Sequence, residues 1–274
     1  MDLRFTIDIN PVIFSIGSLE FRWYSLAIMV AIFTAVWFVG REFRRKGLDD
    51  TNFGNIALVT IVSGILGARL FHIIDRLDEY LDDPASIINF QEGGLAIYGA
   101  VVGGFFGAAL ATRIWKVPFL PAIDAIAPGL VLAQGIGRFG CLVNGDAWGA
   151  PTDSPFAFVY TNPDSFIPNR LLNVPTHPYP IYDMVMNFAI FGVLMWLRTR
   201  PLPNGSLFAI FVSLYAFGRF FISYVREERV WFWGLQEAQV IAIIGMVLGL
   251  FAIRWLFSRR NEDRVAPRMG AAAS

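Results

Sequence analysis

The sequence predicts an all-α fold, a polytopic transmembrane helical bundle of about seven spans. Of the 274 residues, 55% are hydrophobic and 16% are charged, which is more apolar than soluble domains usually are. The chain also contains 26 Phe and 8 Trp, whose rings pack well in hydrocarbon or lie at the headgroup interface. In addition, several apolar stretches are each long enough to cross about 30 Å of hydrocarbon.

These apolar stretches follow one another along the chain and define the predicted spans. Their centres are better defined than their ends, which hydropathy alone does not fix. The seven spans are predicted at residues 23–40, 53–74, 94–115, 119–136, 181–197, 206–224 and 236–257.

Arginine and lysine are concentrated in alternate loops, and this predicts the orientation. Because positively charged loops stay in the cytoplasm, we expect the N-terminus outside and the C-terminus in the cytoplasm. The N-terminal residues lack the pattern of a cleaved signal peptide, so the first span is expected to direct insertion. The basic residues that set the orientation are Arg41, Arg44, Arg45, Lys46, Arg113, Lys116, Arg198, Arg200, Arg259, Arg260, Arg264 and Arg268.

The chain is predicted to form a single integral membrane domain over residues 1–274, with an extracytoplasmic loop or arm at about 139–180. That loop is rich in Pro, Asn and Thr, which favour irregular structure. In the third span, Gly99, Gly103 and Gly107 recur at four-residue spacing, and such small residues allow helices to pack closely. We interpret this glycine stripe as structural.

Composition disfavours several classes of function. The formal net charge of zero argues against a nucleic-acid partner, which would require a concentrated basic surface. The single cysteine, Cys141, rules out an internal disulfide and a CxxC zinc site, and it is interpreted as a small buried residue rather than a nucleophile. His72 and His177 lack ligand spacing, so the sequence predicts no metal site and implies no cofactor. No GxSxG or HExxH motif occurs.

Polar and ionisable residues gather near the predicted outer ends of the spans. A charge at the bilayer centre costs about 2.5–3.5 kcal/mol, so Arg69 and Arg219 are expected to face the bundle interior or a wet cavity, where functional use is the default hypothesis. The residues that meet at this depth are Tyr24, Arg69, His72, Tyr98, Arg138, His177, Asp183, Tyr215, Arg219 and Arg226.

Two interpretations compete for these cations. Arginines at the end of a span often extend to the lipid headgroups, and this is favoured for Arg76, Arg170, Arg226 and Arg229. For Arg138 and Arg219 anion binding is favoured, because a planar guanidinium that is always charged suits a phosphate. Arg138 lies in GIGRFGCLVNGDAWG, where the fourth span is expected to open into a loop with exposed backbone amides.

The chain resembles the prolipoprotein diacylglyceryl transferase family over nearly its whole length. Each of the matching motifs would be a weak signal alone, but together, in order and at matching topological positions, they are specific. The motifs are INPVIFSIGSLEFRWYSL, GARLFHIIDRLDEY, GGLAIYGAVVGG, GIGRFGCLVNGDAWG, HPYPIYD and YAFGRFFISYVRE.

The resemblance implies a reaction between two membrane-held substrates. A member of this family would transfer the diacylglyceryl unit of phosphatidylglycerol to the lipobox cysteine thiol in the signal peptide of a preprolipoprotein, releasing glycerol 1-phosphate. It would be a multi-pass protein of the bacterial plasma (inner) membrane, surrounded by membrane lipids, with its active site toward the outer leaflet. The bond that breaks leaves an anion, which cationic side chains stabilise.

Matching motif positions give individual residues expected roles. Arg138 resembles the arginine of the family signature GRxGNxxNGE, and Arg219 resembles the essential arginine of the penultimate span, so both are assigned to the phosphate. The remaining substrate-binding candidates are Tyr24, Arg69, Asn144, Gly145, Asp146, His177, Tyr215 and Arg226.

The chain also departs from the commonest family pattern, which leaves the general base open. Tyr98 stands where some members have His, and the positions of Cys141, Asp146, Pro180 and Ser223 also differ. Tyr98 is the hypothesised assistant in thiol deprotonation, although a phenol of pKa about 10 is a reluctant acceptor. His177 and Asp146 are its rivals.

Two other functions are weighed against this one. The departures at positions 98, 141, 180 and 223 leave open a paralogue that binds or transports lipid or peptide without transferring anything. A CDP-alcohol phosphotransferase would require a cluster of aspartates in the membrane segments, and the sequence lacks one.

Overall fold

The computed structural model describes residues 4–17, 19–88, 94–226, 230–231 and 233–270, and this part of the chain is mostly helical. Within it, seven helices are long and apolar enough to cross a membrane, which confirms the predicted polytopic bundle of about seven spans. Arg229 lies outside the described residues. The long helices are α1 (Trp23–Arg45), α2 (Phe53–Asp75), α4 (Ile97–Ile114), α5 (Phe119–Asn144), α6 (Tyr179–Leu197), α7 (Ser206–Ile222) and α8 (Glu237–Gly270).

Short elements lie before and between these helices. The hairpin of β2 (Val12–Ile16) and β3 (Leu19–Arg22) leads directly into α1, and the short helix α3 (Leu77–Asp82) follows α2. Strand β1 (Phe5–Ile7) pairs in parallel with β4 (Phe158–Tyr160).

The described residues group into two compact units. The first comprises Met1–Val39 and Ile126–Ser274, and the second comprises Gly40–Ala125, so the division falls inside α1 and inside α5.

In the first unit, three helices share one apolar core. α5, α6 and α7 each contribute two buried residues to it, and close van der Waals packing of these side chains favours the association of the helices. The six residues are Ala127, Val131, Ile190, Leu194, Leu207 and Phe211. On the other side of α7, a Cβ added to Gly249 of α8 would overlap Ser213, so these two helices approach closely.

A small apolar cluster outside the spans joins the N-terminal segment to the connection between α5 and α6. Phe158, Tyr160, Ile167 and Leu171 are buried there, with Ile7 packed against them. The Tyr160 hydroxyl donates a 2.9 Å hydrogen bond to the Leu142 carbonyl, and burial raises the pKa of that phenol. Four of the seven long helices lie between β1 and β4 along the chain, so four membrane crossings return the chain to the side on which the two strands pair.

In the second unit, α2 and α4 pack backbone to backbone. A Cβ added to Gly99 would overlap the Gly67 carbonyl, and one added to Gly103 would overlap the Ser63 carbonyl. Gly107 is equally close to the Ser63 side chain. This contact confirms the structural interpretation of the glycine stripe, because only glycine permits so close an approach.

Large apolar side chains cover the outer faces of the long helices. Phe33 on α1, Phe106 on α4 and Phe251 on α8 are 70%, 65% and 68% exposed. Soluble proteins rarely expose such continuous apolar surface, and lipid is the solvent that these faces suit.

The glycine contact generates a stability prediction. Gly103→Ala should destabilise the protein by about 1–3 kcal/mol, because the added methyl group overlaps the Ser63 carbonyl of α2. For a chain of this size, that loss lowers the melting temperature by roughly 2–10 °C. Thermal unfolding of the detergent-solubilised protein measures it.

The matched control is Gly54→Ala on α2, where nothing lies within 4 Å of the added Cβ. This variant should melt at or slightly above the wild-type temperature, because alanine favours helix. Equal melting temperatures for both variants would contradict the packing described here.

Candidate active site

The site lies where α5 ends, and the helix runs further than the sequence suggested. We expected the fourth span to stop near residue 136 and a loop to follow, but α5 continues to Asn144. It ends because Gly145 adopts a positive φ of 75° and its N–H donates to the Cys141 carbonyl at 2.9 Å. Arg138 therefore projects from a rigid helix rather than from a loop, and the connection to α6 begins at Gly145.

Arg138 forms a buried ion pair with Asp183 of α6. Its Nε atom lies 2.6 Å from the Asp183 Oδ2 atom, and the aspartate side chain is fully buried while the arginine side chain is 25% exposed. On the same guanidinium, Nη1 donates to the Cys141 Sγ atom at 3.5 Å. Since a charge buried without a partner is strongly unfavourable, Asp183 fixes both the position and the orientation of the Arg138 fork.

A second arginine, from α7, contacts a residue of α6 that lies one helical turn before Asp183. The Arg219 Nη1 atom of α7 donates to the hydroxyl of Tyr179, a residue that is completely buried. The Cζ atom of Arg219 lies 5.6 Å from the centre of the Tyr179 ring, and that of Arg226 lies 4.9 Å from it. Tyr179 thus binds Arg219 through a hydrogen bond and a cation–π contact, and Arg226 through a cation–π contact.

Two tyrosines approach Arg138 from other helices. Tyr24, in the first turn of α1, packs against the buried cluster of Cys141, Ala147 and Tyr179. It comes this close because Gly140 has no side chain, and a Cβ there would lie 3.0 Å from the Tyr24 Cα atom. Tyr215 of α7 interacts electrostatically with Arg138. The end of α5 is therefore surrounded by phenol and guanidinium groups.

Asp146 follows the helix cap and turns back toward the same cluster. Burial raises the pKa of the Asp146 carboxyl above its ordinary value, while a hydrogen bond from Asn144 and the nearby Arg138 guanidinium act in the opposite direction. The side chain of Asn144 is buried, and neither its Oδ1 atom nor the Oδ1 atom of Asp146 has a hydrogen-bond partner among the described residues. Such groups favour a polar ligand.

His177 lies just before α6 and belongs to the edge of this cluster. Its backbone N–H donates to the Ala150 carbonyl at 2.9 Å, and its ring centre is 6.2 Å from that of Tyr182. Its Nδ1 atom is buried without a hydrogen-bond partner in the described part of the chain. Within those residues, His, Cys, Asp and Glu side chains nowhere come together in a group of three that could hold a metal ion.

Two of the predicted site residues, Arg69 and Tyr98, belong to the second unit. Arg69 donates to the backbone carbonyls of Ser86, Ile87 and Gly94. It therefore fixes these described residues, which lie between α2 and α4 in the chain, against α2. This arrangement suits a structural residue, and a role in lipid binding stays a prediction. Tyr98 lies in the first turn of α4, its ring 6.3 Å from that of Phe71, and its role also stays a prediction.

The sequence interpretation missed the function of α6. It treated Asp183 only as a polar residue at the start of a span and did not single out Tyr179. A usable signal was present, because a carboxylate in an apolar helix is expensive unless a cation pairs with it. The identity of that cation depends on which helices are neighbours, and a linear pattern does not contain this information.

Comparison with known proteins gives one consistent result. The family model described as prolipoprotein diacylglyceryl transferase matches residues 11–255. A protein of Symbiobacterium thermophilum is 35% identical over 258 residues, which are 93% of this chain and 96% of that protein. Proteins of Lysinibacillus sphaericus (35% identical, 92% and 94% covered) and Clostridioides difficile (30%, 94% and 99%) are also similar. All three are named phosphatidylglycerol–prolipoprotein diacylglyceryl transferase.

The ion pair generates a second prediction. Asp183→Asn should destabilise the protein by an amount near the lower end of about 3–5 kcal/mol, because it leaves the partly exposed Arg138 without its counter-charge. Chemical or thermal unfolding in detergent measures the loss, and the exposed Asp153→Asn is the control.

A double-mutant cycle isolates the pair itself. Adding Arg138→Gln to Asp183→Asn should recover part of the stability, since neither charge then remains buried alone. Strictly additive losses in the double variant would mean that the two side chains do not act on each other.

Proposed function

The chain belongs to the prolipoprotein diacylglyceryl transferase family, and on that premise we propose that it transfers the diacylglyceryl group of phosphatidylglycerol to the acceptor cysteine of prolipoproteins. The enzyme thereby takes part in lipoprotein maturation. The comparisons do not favour the alternative of a paralogue that binds or transports lipid or peptide without transfer, because the similar proteins carry the name of the transferase.

The proposed location follows from the lipid substrate and the charge pattern. The enzyme is a multi-pass protein of the bacterial plasma (inner) membrane, with its N-terminus outside, its C-terminus in the cytoplasm and its site toward the outer leaflet. The acceptor is the lipobox cysteine at the end of a preprolipoprotein signal peptide. Both substrates are then held in the same leaflet and approach the site laterally, among the membrane lipids.

Arg138 and Arg219 bind the phosphate of the lipid in this proposal. The observation that carries it is that α6 holds guanidinium groups from two different helices through Asp183 and Tyr179, two residues one helical turn apart. Because the Nε atom of Arg138 pairs with Asp183, the terminal nitrogens of its fork are directed elsewhere, toward Cys141 and the site. Arg226 adds a further positive charge beside the ring of Tyr179.

The reaction replaces one bond by another at a single carbon. The thiolate sulfur attacks the glyceryl carbon that is bonded to a phosphate oxygen, a carbon–sulfur bond forms, and the carbon–oxygen bond breaks. The electron pair of the broken bond stays on the phosphate, which leaves as glycerol 1-phosphate. The guanidinium groups stabilise the charge that develops on the leaving oxygen, which is the usual means by which a fixed cation accelerates such a step.

Neighbouring polar groups bind the rest of the lipid head. Tyr24 and Tyr215 contact the phosphate region, and Asn144 and Asp146 bind the glycerol hydroxyls, supported by their buried oxygens without hydrogen-bond partners in the described residues. Gly145 contributes by its backbone, since its positive φ ends α5 and directs Asp146 back to the cluster. His177 and Arg226 are further substrate contacts in this proposal, and a role for Arg69 rests on the sequence resemblance alone.

Removal of either arginine of the proposed phosphate site should lower activity strongly. Arg138→Ala and Arg219→Ala are each expected to lower the transfer rate by about 10²–10³-fold or more, because each removes a donor that stabilises the leaving group. The measurement follows lipidation of a lipobox peptide, with phosphatidylglycerol vesicles as donor.

The control is Arg170→Ala, at an exposed arginine of the connection between α5 and α6, with expression and membrane insertion checked for all variants. Wild-type rates in either Arg138→Ala or Arg219→Ala would refute the phosphate site.

The acceptor thiol also has to lose a proton, and a paired pH experiment identifies the group that assists. We expect Tyr98→Phe to reduce transfer by about 10²-fold, the lower end of the usual effect of a general base. If Asp146 is the base instead, the reactive form is its carboxylate, so the wild-type rate rises with pH through the raised pKa of this group, above the ordinary aspartate range. Asp146→Asn then removes that rise.

The two variants are assayed across the same pH range. Full activity of Tyr98→Phe at every pH discards the tyrosine, and an unchanged acid limb in Asp146→Asn discards the aspartate. If both Tyr98 and Asp146 are discarded in this way, His177, which lies before α6, becomes the candidate base.

A further inference from the structure

An apolar groove lies at the ends of α5 and α6, which also carry the polar cluster. Its volume is about 570 Å³, and it is open at the surface. The walls come from the N-terminal segment, the end of α5, the connection that follows it and the start of α6. The lining side chains used below are Phe5, Ile7, Ile9, Leu142, Phe156 and Tyr182.

The N-terminal wall of this groove is an edge strand with free backbone groups. Phe5 donates its N–H to the Ala157 carbonyl and Ile7 accepts from the Thr161 N–H, so alternate residues of β1 face β4. Thr6 therefore turns its N–H and carbonyl to the opposite side. In the described part of the chain, β4 is the only strand that pairs with β1. Such an edge is a template for one more strand.

Side chains on β1 complete the template. Phe5, Ile7 and Ile9 alternate along an extended segment and point into the groove, while Thr6 lies between the first two of them. Phe5 and Ile9 are 53% and 48% exposed although both are large and apolar. An extended chain paired with Thr6 would therefore have apolar side chains of the groove alongside it.

The same two helix ends contribute residues to both the groove and the polar cluster. On α5, Leu142 follows Arg138 by one turn, about 6 Å along the axis. On α6, Tyr182 lines the groove, whereas Tyr179 and Asp183 hold the two arginines of the site. Residues of the groove wall thus lie within one helical turn of residues of the polar cluster on both helices.

We propose that this groove, together with the free edge of β1, binds an extended segment of the acceptor polypeptide next to its reacting cysteine. The inference rests on the proposed function, which requires a polypeptide whose thiol reaches Arg138. A polypeptide fits better than an acyl chain because the backbone groups of Thr6 offer hydrogen bonds that hydrocarbon does not use. The three residues of β1 match about 10 Å of extended chain.

Steady-state kinetics test the apolar part of the groove. Phe156→Ser should raise the KM for a lipobox peptide about tenfold, with kcat and the KM for phosphatidylglycerol unchanged, because it removes apolar contact with the acceptor alone. The matched control is Phe166→Ser in the same connection. Phe156 and Phe166 are 55% and 51% exposed, but Phe166 does not line the groove.

A second variant tests the strand edge. Thr6→Pro removes the N–H that faces away from β4 and leaves the β1–β4 bonds in place, a substitution that edge strands tolerate. It should also raise the KM for the peptide. A rise in the KM for phosphatidylglycerol instead would mean that the groove holds an acyl chain, and unchanged constants in both variants would overturn the proposal.

Photo-cross-linking gives a readout that does not require catalysis. With p-benzoylphenylalanine at position 156, the lipobox peptide should cross-link to the enzyme, and at position 166 it should not. Failure of the proposed function would appear separately, as cross-linking of the peptide by the position-156 variant while the wild-type protein does not lipidate that peptide. Equal cross-linking at both positions, or none at either, would overturn the groove assignment whatever the activity.

Discussion

The ion pair of Arg138 and Asp183 is the constraint on which the rest of the site depends. An arginine this deep among apolar helices is stable only with a counter-charge at close range, and Asp183 supplies it at 2.6 Å. The pair requires α5 to stay helical beyond Arg138 and α6 to begin before Asp183, and both conditions hold. The loop between these helices is therefore anchored at two rigid ends, and Gly145 forms the turn that leaves the first.

The charge of the cluster supports the proposal that it binds an anionic lipid head. Arg138, Arg219 and Arg226 contribute three positive charges, and the buried Asp183 carboxylate opposes one of them. The Asp146 carboxyl offsets less of this positive charge than an ordinary aspartate would, because burial raises its pKa and so favours its neutral form. The remaining positive charge lies beside polar atoms without hydrogen-bond partners in the described residues, and a phosphate with hydroxyl groups can satisfy both.

Hydropathy predicted the spans well, because each is a long apolar stretch regardless of what it packs against. The first residues of α2, α5 and α7, at Phe53, Phe119 and Ser206, agree with the predicted first residues of these spans, and the glycine stripe of α4 was interpreted correctly. The sequence pattern failed at the end of α5, where a glycine-rich stretch stays helical and contacts Tyr24 of α1 and Asp183 of α6. Motif resemblance pointed to Arg138 and Arg219, but their partners Asp183 and Tyr179 depend on contacts between helices.

Helical geometry allows one pair of helix ends to serve two chemically different substrates. Neighbouring residues on a helix point about 100° apart, so Asp183 and Tyr182 of α6 face different surroundings although they adjoin in sequence. The same holds for Cys141 and Leu142 of α5, which belong to the polar cluster and to the groove wall. A lipid phosphate and an apolar peptide can therefore be held on adjacent faces without either intruding on the other. Because both sets of residues belong to the same two helices, helix geometry would set the distance between the two substrates in the arrangement proposed here.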